Sequence, residues 1–348
     1  MTRLSGAGLT RRATLAALAL ATAFTAPLAT GPAAAADEVT VGALRFTSHA
    51  PTFIAYERGY FAEEGLDVSI EFFQAAQPIA VAIASGDIDF GVTALTGGFY
   101  GLADKGAVQV VGGLYAEEPS SPGMAILASN DAFEGGLTAP AELPGHSWAM
   151  TQQGSSFHYM AGMIADAEGF DLSELSLKPL QKVGSMIGAV KSGQVDAMAM
   201  VPHVAIPLHE GGAAKIIGWV RDLGDYQVTT IFTSTRNVEE RPELVDRFLA
   251  AYTKGVRDYR AAMLDPDADP AETEAVVDII HTYVYTDRPR EKAAASIKAG
   301  SVYMVDPRDL NVADVRKQLA WFQEQGLAPA DLSVEDFVAT RFLSGSGS

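Results

Sequence analysis

Ala82-Ile83-Ala84-Ser85-Gly86-Asp87-Ile88-Asp89 and Ala189-Val190-Lys191-Ser192-Gly193-Gln194-Val195-Asp196 repeat one pattern at a constant offset of 107 residues. Each copy reads as the end of a helix, a tight glycine turn and the start of a buried strand. Upstream, Glu64-Gly65-Leu66-Asp67 is echoed by Glu168-Gly169-Phe170-Asp171 at an offset of 104 residues. Common helix-turn-strand chemistry is the competing explanation, and the shared order of elements around both copies argues against it. Two lobes of like topology are expected.

Outward from the first copy, β-branched runs alternate with helical periods. Residues 39–46 read as a strand, and a helix opens near Pro51, which suits a first helical position. Ile54, Tyr56, Tyr60 and Phe61 give that helix its apolar faces, and Gly65 stops it before a strand at 68–73. A helix at 79–84, a strand at 88–92, a helix from about Thr96 and a strand at 109–114 follow. This is the rhythm of a βαβ chain. The expected fold is α/β, with two βαβ sandwich lobes joined by two hinge strands. The crossings are expected as extended strands near residues 125–129 and 229–235. Lobe one is then 37–127 with 234–343, lobe two is 128–233, and long helices such as 242–260 pack back on lobe one.

The N-terminus reads as export machinery. Arg3, Arg11 and Arg12 precede a mildly apolar run over residues 13–28, and Thr10-Arg11-Arg12-Ala13-Thr14-Leu15 resembles a twin-arginine signal with Thr14 where an aromatic residue is common. Ala34-Ala35-Ala36 offers a cleavage site, so residues 1–36 are expected to be removed and the mature chain to begin at Asp37. An Ala/Thr-rich run broken by Pro27 is poorly apolar for a membrane anchor. Removing residues 1–36 takes away three arginines and no acids, leaving 22 basic against 43 acidic residues. So acidic a chain disfavours nucleic acid and anionic membrane as partners. With no cysteine there is no disulfide, thiolate metal site, Cys nucleophile or lipid anchor through cysteine. A monomer is expected, diffusing freely in the periplasm, with residues 344–348 a flexible tail.

Four stretches now carry a resemblance: Gly59-Tyr60-Phe61-Ala62-Glu63-Glu64-Gly65-Leu66-Asp67-Val68, Ala84-Ser85-Gly86-Asp87-Ile88-Asp89-Phe90-Gly91, Ser155-Ser156-Phe157-His158-Tyr159 and Lys191-Ser192-Gly193-Gln194-Val195-Asp196-Ala197. In them the chain resembles the nitrate/sulfonate/taurine-type substrate-binding proteins of ABC transporters, over nearly all of residues 39–343. The resemblance implies the type II periplasmic-binding fold, a small-molecule ligand held between the lobes and an ABC permease as partner. It also implies that the Ser-Ser and Thr-Gly loops line the ligand. A thiamine-precursor-like pyrimidine or another neutral heterocycle is the alternative ligand, and a ligand-sensing subunit for a receptor is the alternative role. The cysteine-rich motif of enzyme-like members of the thiamine-pyrimidine branch is absent.

In open α/β sheets, ligands sit beyond the carboxyl ends of the strands. That rule selects Thr47, Ser48 and His49 after the first strand, Gln74 after the second, Thr93, Leu95, Thr96 and Gly97 after the third, and Tyr115 after the fourth. In lobe two it selects Gly154, Ser155, Ser156 and Phe157, then Val201, Pro202 and His203. Ser155 and Ser156 can cap a helix whose free N–H groups hold carboxylate or sulfonate oxygens without arginine, and Thr96 and Gly97 can do the same from lobe one. Ordinary capping without ligand contact is the competing reading. Phe53, Phe99, Tyr115 and Phe157 are candidate cleft walls, with core packing favoured for Phe53 and Phe99.

His49, His158 and His203 match no chelating spacing and no acidic residue accompanies them in the selected loops, so no metal and no cofactor is expected. Arg45 lies within a strand and Arg221 follows one, so neither is securely in the cleft. A small organic acid is therefore expected as ligand, a sulfonate or an aromatic carboxylate, ahead of a strongly charged inorganic anion. Val201 stands before Pro202 where taurine-type proteins often carry tryptophan, which disfavours taurine. No phosphate loop, nucleophile elbow or metal motif supports an enzyme.

Overall fold

The computed structural model describes residues 35–344, so the export signal expected over residues 1–36 falls almost wholly outside the described residues, as do the last four residues of the tail. Among the described residues ten strands form two five-stranded sheets. The first contains β1 (Asp37–Ala43), β2 (Leu66–Phe72), β3 (Phe90–Thr93), β4 (Val108–Gly113) and β10 (Thr230–Ser234), in the order β2-β1-β3-β10-β4. The second contains β5 (Ala125–Ala128), β6 (Ser147–Met150), β7 (Ser176–Pro179), β8 (Ala197–Met200) and β9 (Lys215–Trp219), in the order β7-β6-β8-β5-β9.

The two orders superimpose place for place. In each sheet the first three strands run parallel, and the fourth lies antiparallel to its neighbours. That fourth strand arrives in lobe one from the far side of the excursion, and in lobe two it opens the excursion. The sequence echo has a matching structural echo. Gly86 and Gly193 both turn the chain at positive φ (+83° and +70°), where a side chain would be strained. Asp89 Oδ2 accepts the Thr40 N–H at 2.8 Å, and Asp196 Oδ2 accepts the Ser147 N–H at 2.8 Å, so the same clamp recurs at the same offset.

The expected hinge strands are corrected. β5 is paired on both edges inside the second sheet, and β10 is paired on both edges inside the first. Their β-branched and apolar character reflects burial within sheets rather than a bridging role. The chain crosses just before each of them, in two antiparallel segments held to each other: Leu114 N–H donates to Thr229 O at 2.9 Å, Val228 N–H to Tyr115 O at 2.9 Å, and Glu117 N–H to Tyr226 O at 2.9 Å.

Helices cover both sheets, many opened by proline in the first turn. Phe90 of β3 stacks on Phe248 at 3.9 Å, and Trp148 of β6 is fully buried in lobe two. The Pro242–Met263 helix packs on Ala50–Glu57 of lobe one, as expected. Two later helices do not follow it. Arg290–Ala299 packs on the Pro202–Glu210 helix of lobe two, and Val312–Glu324 packs on Ser156–Glu168. The C-terminal third thus straps the lobes together. Among the described residues no helix is long and apolar enough to cross a membrane.

Candidate functional site: the cleft between the lobes

The carboxyl ends of β1, β3, β6 and β8 converge on one cavity between the lobes. Lobe one contributes Leu44, Phe46, Ser48, His49, Ala75, Ala76, Thr93 and Ala94. Thr151, Ser156, Phe157, Met160, Val183 and Val201 face them from lobe two, while Tyr115, Met124, Val228 and Thr229 close the side nearest the crossing. The walls are mainly apolar, with a few hydroxyls and one imidazole. No Lys, Arg, Asp or Glu lies among these lining residues. Arg45 instead lies over the Phe72 ring at 3.8 Å and donates to Tyr283 O, and Arg221 lies over Trp219 at 4.8 Å.

The lobe-two wall is a helix start. Ser155 caps the Ser156–Glu168 helix, its Oγ accepting the His158 N–H at 3.4 Å, and Trp148 Nε1–H donates to Phe157 O at 3.0 Å, fixing the first turn to the sheet. A helix leaves its first N–H groups without intrahelical partners. Those of Ser156 and Phe157 have no partner among the described residues, and both residues line the cavity.

Of the residues selected from sequence, the structure brings Ser48, His49, Thr93, Tyr115, Ser156, Phe157 and Val201 to the cavity. The others do different work. Gly97 N–H donates to Gly154 O at 2.9 Å, Val183 N–H to Gln74 O at 3.4 Å, and Thr47 Oγ1 meets His203 Nδ1 at 2.9 Å. All three bonds link lobe one with lobe two, so these residues join the rims of the cleft. The expectation of an anion cradle at Thr96 and Gly97 is therefore corrected: Thr96 Oγ1 accepts the Phe99 N–H at 3.1 Å, and the Gly97 N–H is taken by the opposite lobe. Leu95 is buried in the core, Ser155 is occupied as a cap, and Pro202 opens a helix outside the cavity lining. Phe53 stacks on Tyr283 at 4.6 Å and Phe99 meets Phe232 at 5.1 Å, both within the core.

Sequence reasoning missed Leu44, Phe46, Ala75, Ala76, Met124, Thr151, Met160, Val183, Val228 and Thr229, while Ala94 lies in the loop it selected after β3. Phe46, Ala75 and Thr151 follow strand ends within a few residues of those chosen, and Met160 is one helical turn beyond Phe157, so both signals were within reach. Val183, Val228 and Thr229 carry no local sign.

The three histidines have separate neighbours. Burial pushes His49 down to about 4, against a weaker opposing pull from its bond to Val92 O at 2.8 Å. Burial, with smaller contributions from His49 and Arg288, pushes His203 down to about 3. His158 is lowered by burial too, and its Nδ1 accepts the Gly154 N–H at 3.1 Å, steadying the loop before the helix. All three rings are neutral at neutral pH.

One carboxylate lies behind the lining. Glu117 is 9% exposed in the crossing, where Oε1 accepts from the Tyr115 hydroxyl at 2.7 Å and the Met124 N–H at 2.8 Å. Its Oε2 is buried without a partner among the described residues, and burial raises its pKa to about 7.

Two α/β lobes of repeated topology, linked by paired crossing segments and closed over one interlobe cavity, define the two-lobed periplasmic-binding fold. Solved structures similar to the chain include the periplasmic aliphatic sulphonate binding protein SsuA from Escherichia coli, at 17% identity and TM-score 0.69, covering 86% of this chain and 91% of that one. The periplasmic nitrate-binding protein NrtA from Synechocystis PCC 6803 is similar at 14% identity and TM-score 0.68, over 88% of this chain and 87% of that one. The desulfurization enzyme DSZB is similar at 14% identity and TM-score 0.58, over 88% and 97%. At such identities the likeness is one of fold, which binding proteins and an enzyme share. The chain belongs to the NMT1/THI5-like family, whose model matches residues 46–268. No curated protein sequence matches it.

Proposed function

We propose that this protein is the periplasmic solute-binding component of an ABC importer, holding a small organic acid between its lobes and carrying out no catalysis. One observation carries the reading: a mainly apolar cavity lies between two lobes whose rims are hydrogen-bonded to each other, with a helix start facing inward. A single acid group fits the unpartnered N–H groups of Ser156 and Phe157, where the helix dipole favours negative charge. Phe46, Phe157, Met160 and Val201 suit the apolar body of such a molecule. A doubly charged anion would find no cation among the lining residues to offset its desolvation. The same absence favours a second reading, a neutral heterocycle such as a pyrimidine. The export signal read in residues 1–36 supports the periplasmic setting, and closure about the crossing segments supports docking on a permease in the closed form.

A thermal-shift screen of organic acids, alkanesulfonates and pyrimidines tests this. A true ligand at a hundred times its Kd stabilises the fold by about 2.7 kcal/mol, and it is recovered unchanged after incubation. No stabilisation by any of the three classes would overturn solute binding, and conversion of the ligand would make the protein an enzyme.

A further inference from the structure

One hydroxyl on the lobe-one wall, that of Ser48, has a fixed direction. The Val92 carbonyl oxygen, at the end of β3, stands 2.8 Å from His49 Nε2. A carbonyl only accepts, so Nε2 carries the ring hydrogen and, in the neutral ring that burial enforces, Nδ1 is a bare acceptor. Ser48 Oγ lies 3.3 Å from Nδ1, the two facing each other within the lining, and against a bare acceptor the hydroxyl donates. A serine has one hydrogen to give, so Ser48 turns only lone pairs to the cavity. On the crossing wall Tyr115 is directed the same way, because its hydroxyl donates to Glu117 Oε1, which also accepts from Met124. The opposite wall, with the N–H groups of Ser156 and Phe157, donates.

Resting on the solute-binding reading above, we infer that the lobe-one wall selects ligands bearing an N–H or O–H group. Ser48 is the specificity-determining residue, and His49 is the positioning residue that, locked by the Val92 carbonyl, sets the direction of the Ser48 hydroxyl. The ligand class is then a small acid whose apolar body carries a hydroxyl or amino group away from its acid end. A ligand ending there in a methyl or ether group leaves the Ser48 oxygen buried and unpaired, which costs affinity out of proportion to the atoms changed.

Calorimetric titration of the full mature chain with 4-hydroxybenzoate, 4-aminobenzoate and 4-methylbenzoate tests the inference, because the three differ in donor capacity and hardly in shape. The hydroxy and amino compounds bind about tenfold or more tightly than the methyl compound, and Ser48→Ala removes that preference. His49→Leu removes it as well, whereas His49→Gln, which keeps a donor for Val92 and an acceptor for Ser48, restores part of it. Equal or tighter binding of 4-methylbenzoate overturns the inference, as does a preference that survives Ser48→Ala. Failure of the whole benzoate series to bind also overturns it. Stabilisation by a sulfonate or a pyrimidine in the broader screen would then leave solute binding standing on its own.

Discussion

Glu117 is a carboxylate the structure buries where its charge is costly. Desolvation raises its pKa against the pull of the Met124 N–H, the Tyr115 hydroxyl and the Arg221 cation, and Asp222 adds to the rise. The folded-state pKa of about 7 lies above the ordinary 4.5, so the folded protein holds this proton more tightly than the unfolded chain. Its contribution to stability is then fully present below about pH 4.5 and is lost as the pH rises through 7. The loss is roughly 3 kcal/mol, from 1.36 kcal/mol per pKa unit. Glu117→Gln carries no titrating proton there, so chemical denaturation across pH 5 to 8 is expected to show a flatter profile for the variant. An unchanged slope would mean that Glu117 ionises in the fold at its ordinary value. His203 works with the opposite sign: it is neutral when folded, and its contribution is present above pH 6.5 and lost as the pH falls toward 3.

At the scale of elements, the crossing is held by a side chain as much as by its backbone ladder. Gln227 Nε2 donates to Tyr115 O and Thr229 O, both at 3.0 Å, and its Oε1 accepts the Asn311 N–H at 3.3 Å. Gln227→Ala takes one donor from each carbonyl, although Tyr115 O keeps the Val228 and Thr229 N–H groups and Thr229 O keeps the Leu114 N–H, and it leaves the Asn311 N–H without its acceptor. A loss of about 2–4 kcal/mol is expected in denaturant titration, with faster hydrogen exchange at residues 114–117 and 226–229 as the local signature. The strap across the lobes has an equally sharp contact. A Cβ at Gly162 would stand 2.4 Å from Trp321 Nε1, so the Ser156–Glu168 and Val312–Glu324 helices meet with no room for a methyl group. Gly162→Ala is expected to destabilise by about 1–3 kcal/mol, read as a lowered denaturation midpoint, because the bulky indole must move in a packed interface.

Over the whole molecule, closure rests on bonds between lobes and on close approaches made by the C-terminal strap. A Cβ at Gly300 would lie 2.3 Å from the His203 Cα, a contact with backbone that no rotamer change relieves. The Thr47 hydroxyl reaches both His203 Nδ1 and Gly300 O, so the same spot gathers lobe one, lobe two and the strap. Gly300→Ala is expected to hold the lobes apart. Small-angle scattering should show a larger radius of gyration than wild type, and affinity for any ligand found in the screen should fall about tenfold or more, while secondary structure by circular dichroism is retained. A variant as compact as wild type, with unchanged affinity, would show that the rim is not under steric control.

Much of this architecture was legible without coordinates, because helix ends, glycine turns and strand starts are decided by residues a few positions apart. The Ser85-Gly86-Asp87 and Ser192-Gly193-Gln194 turns and the doubling of the lobe follow from such local chemistry, whereas the clamps of Asp89 and Asp196 join strands distant along the chain and are visible only in the fold. The same local logic located the strand ends from which Ser48, His49, Ser156 and Phe157 reach the cavity. It failed at β5 and β10, since a buried strand and a bridging strand share one composition and only pairing partners distant in sequence tell them apart. It failed again in separating wall from rim. Thr47 and Ser48 are neighbours of similar chemistry, yet Thr47 bonds across to His203 and Ser48 faces the cavity. That assignment depends on how the two lobes rest against each other under the C-terminal strap, a relation between surfaces that no stretch of the chain contains by itself.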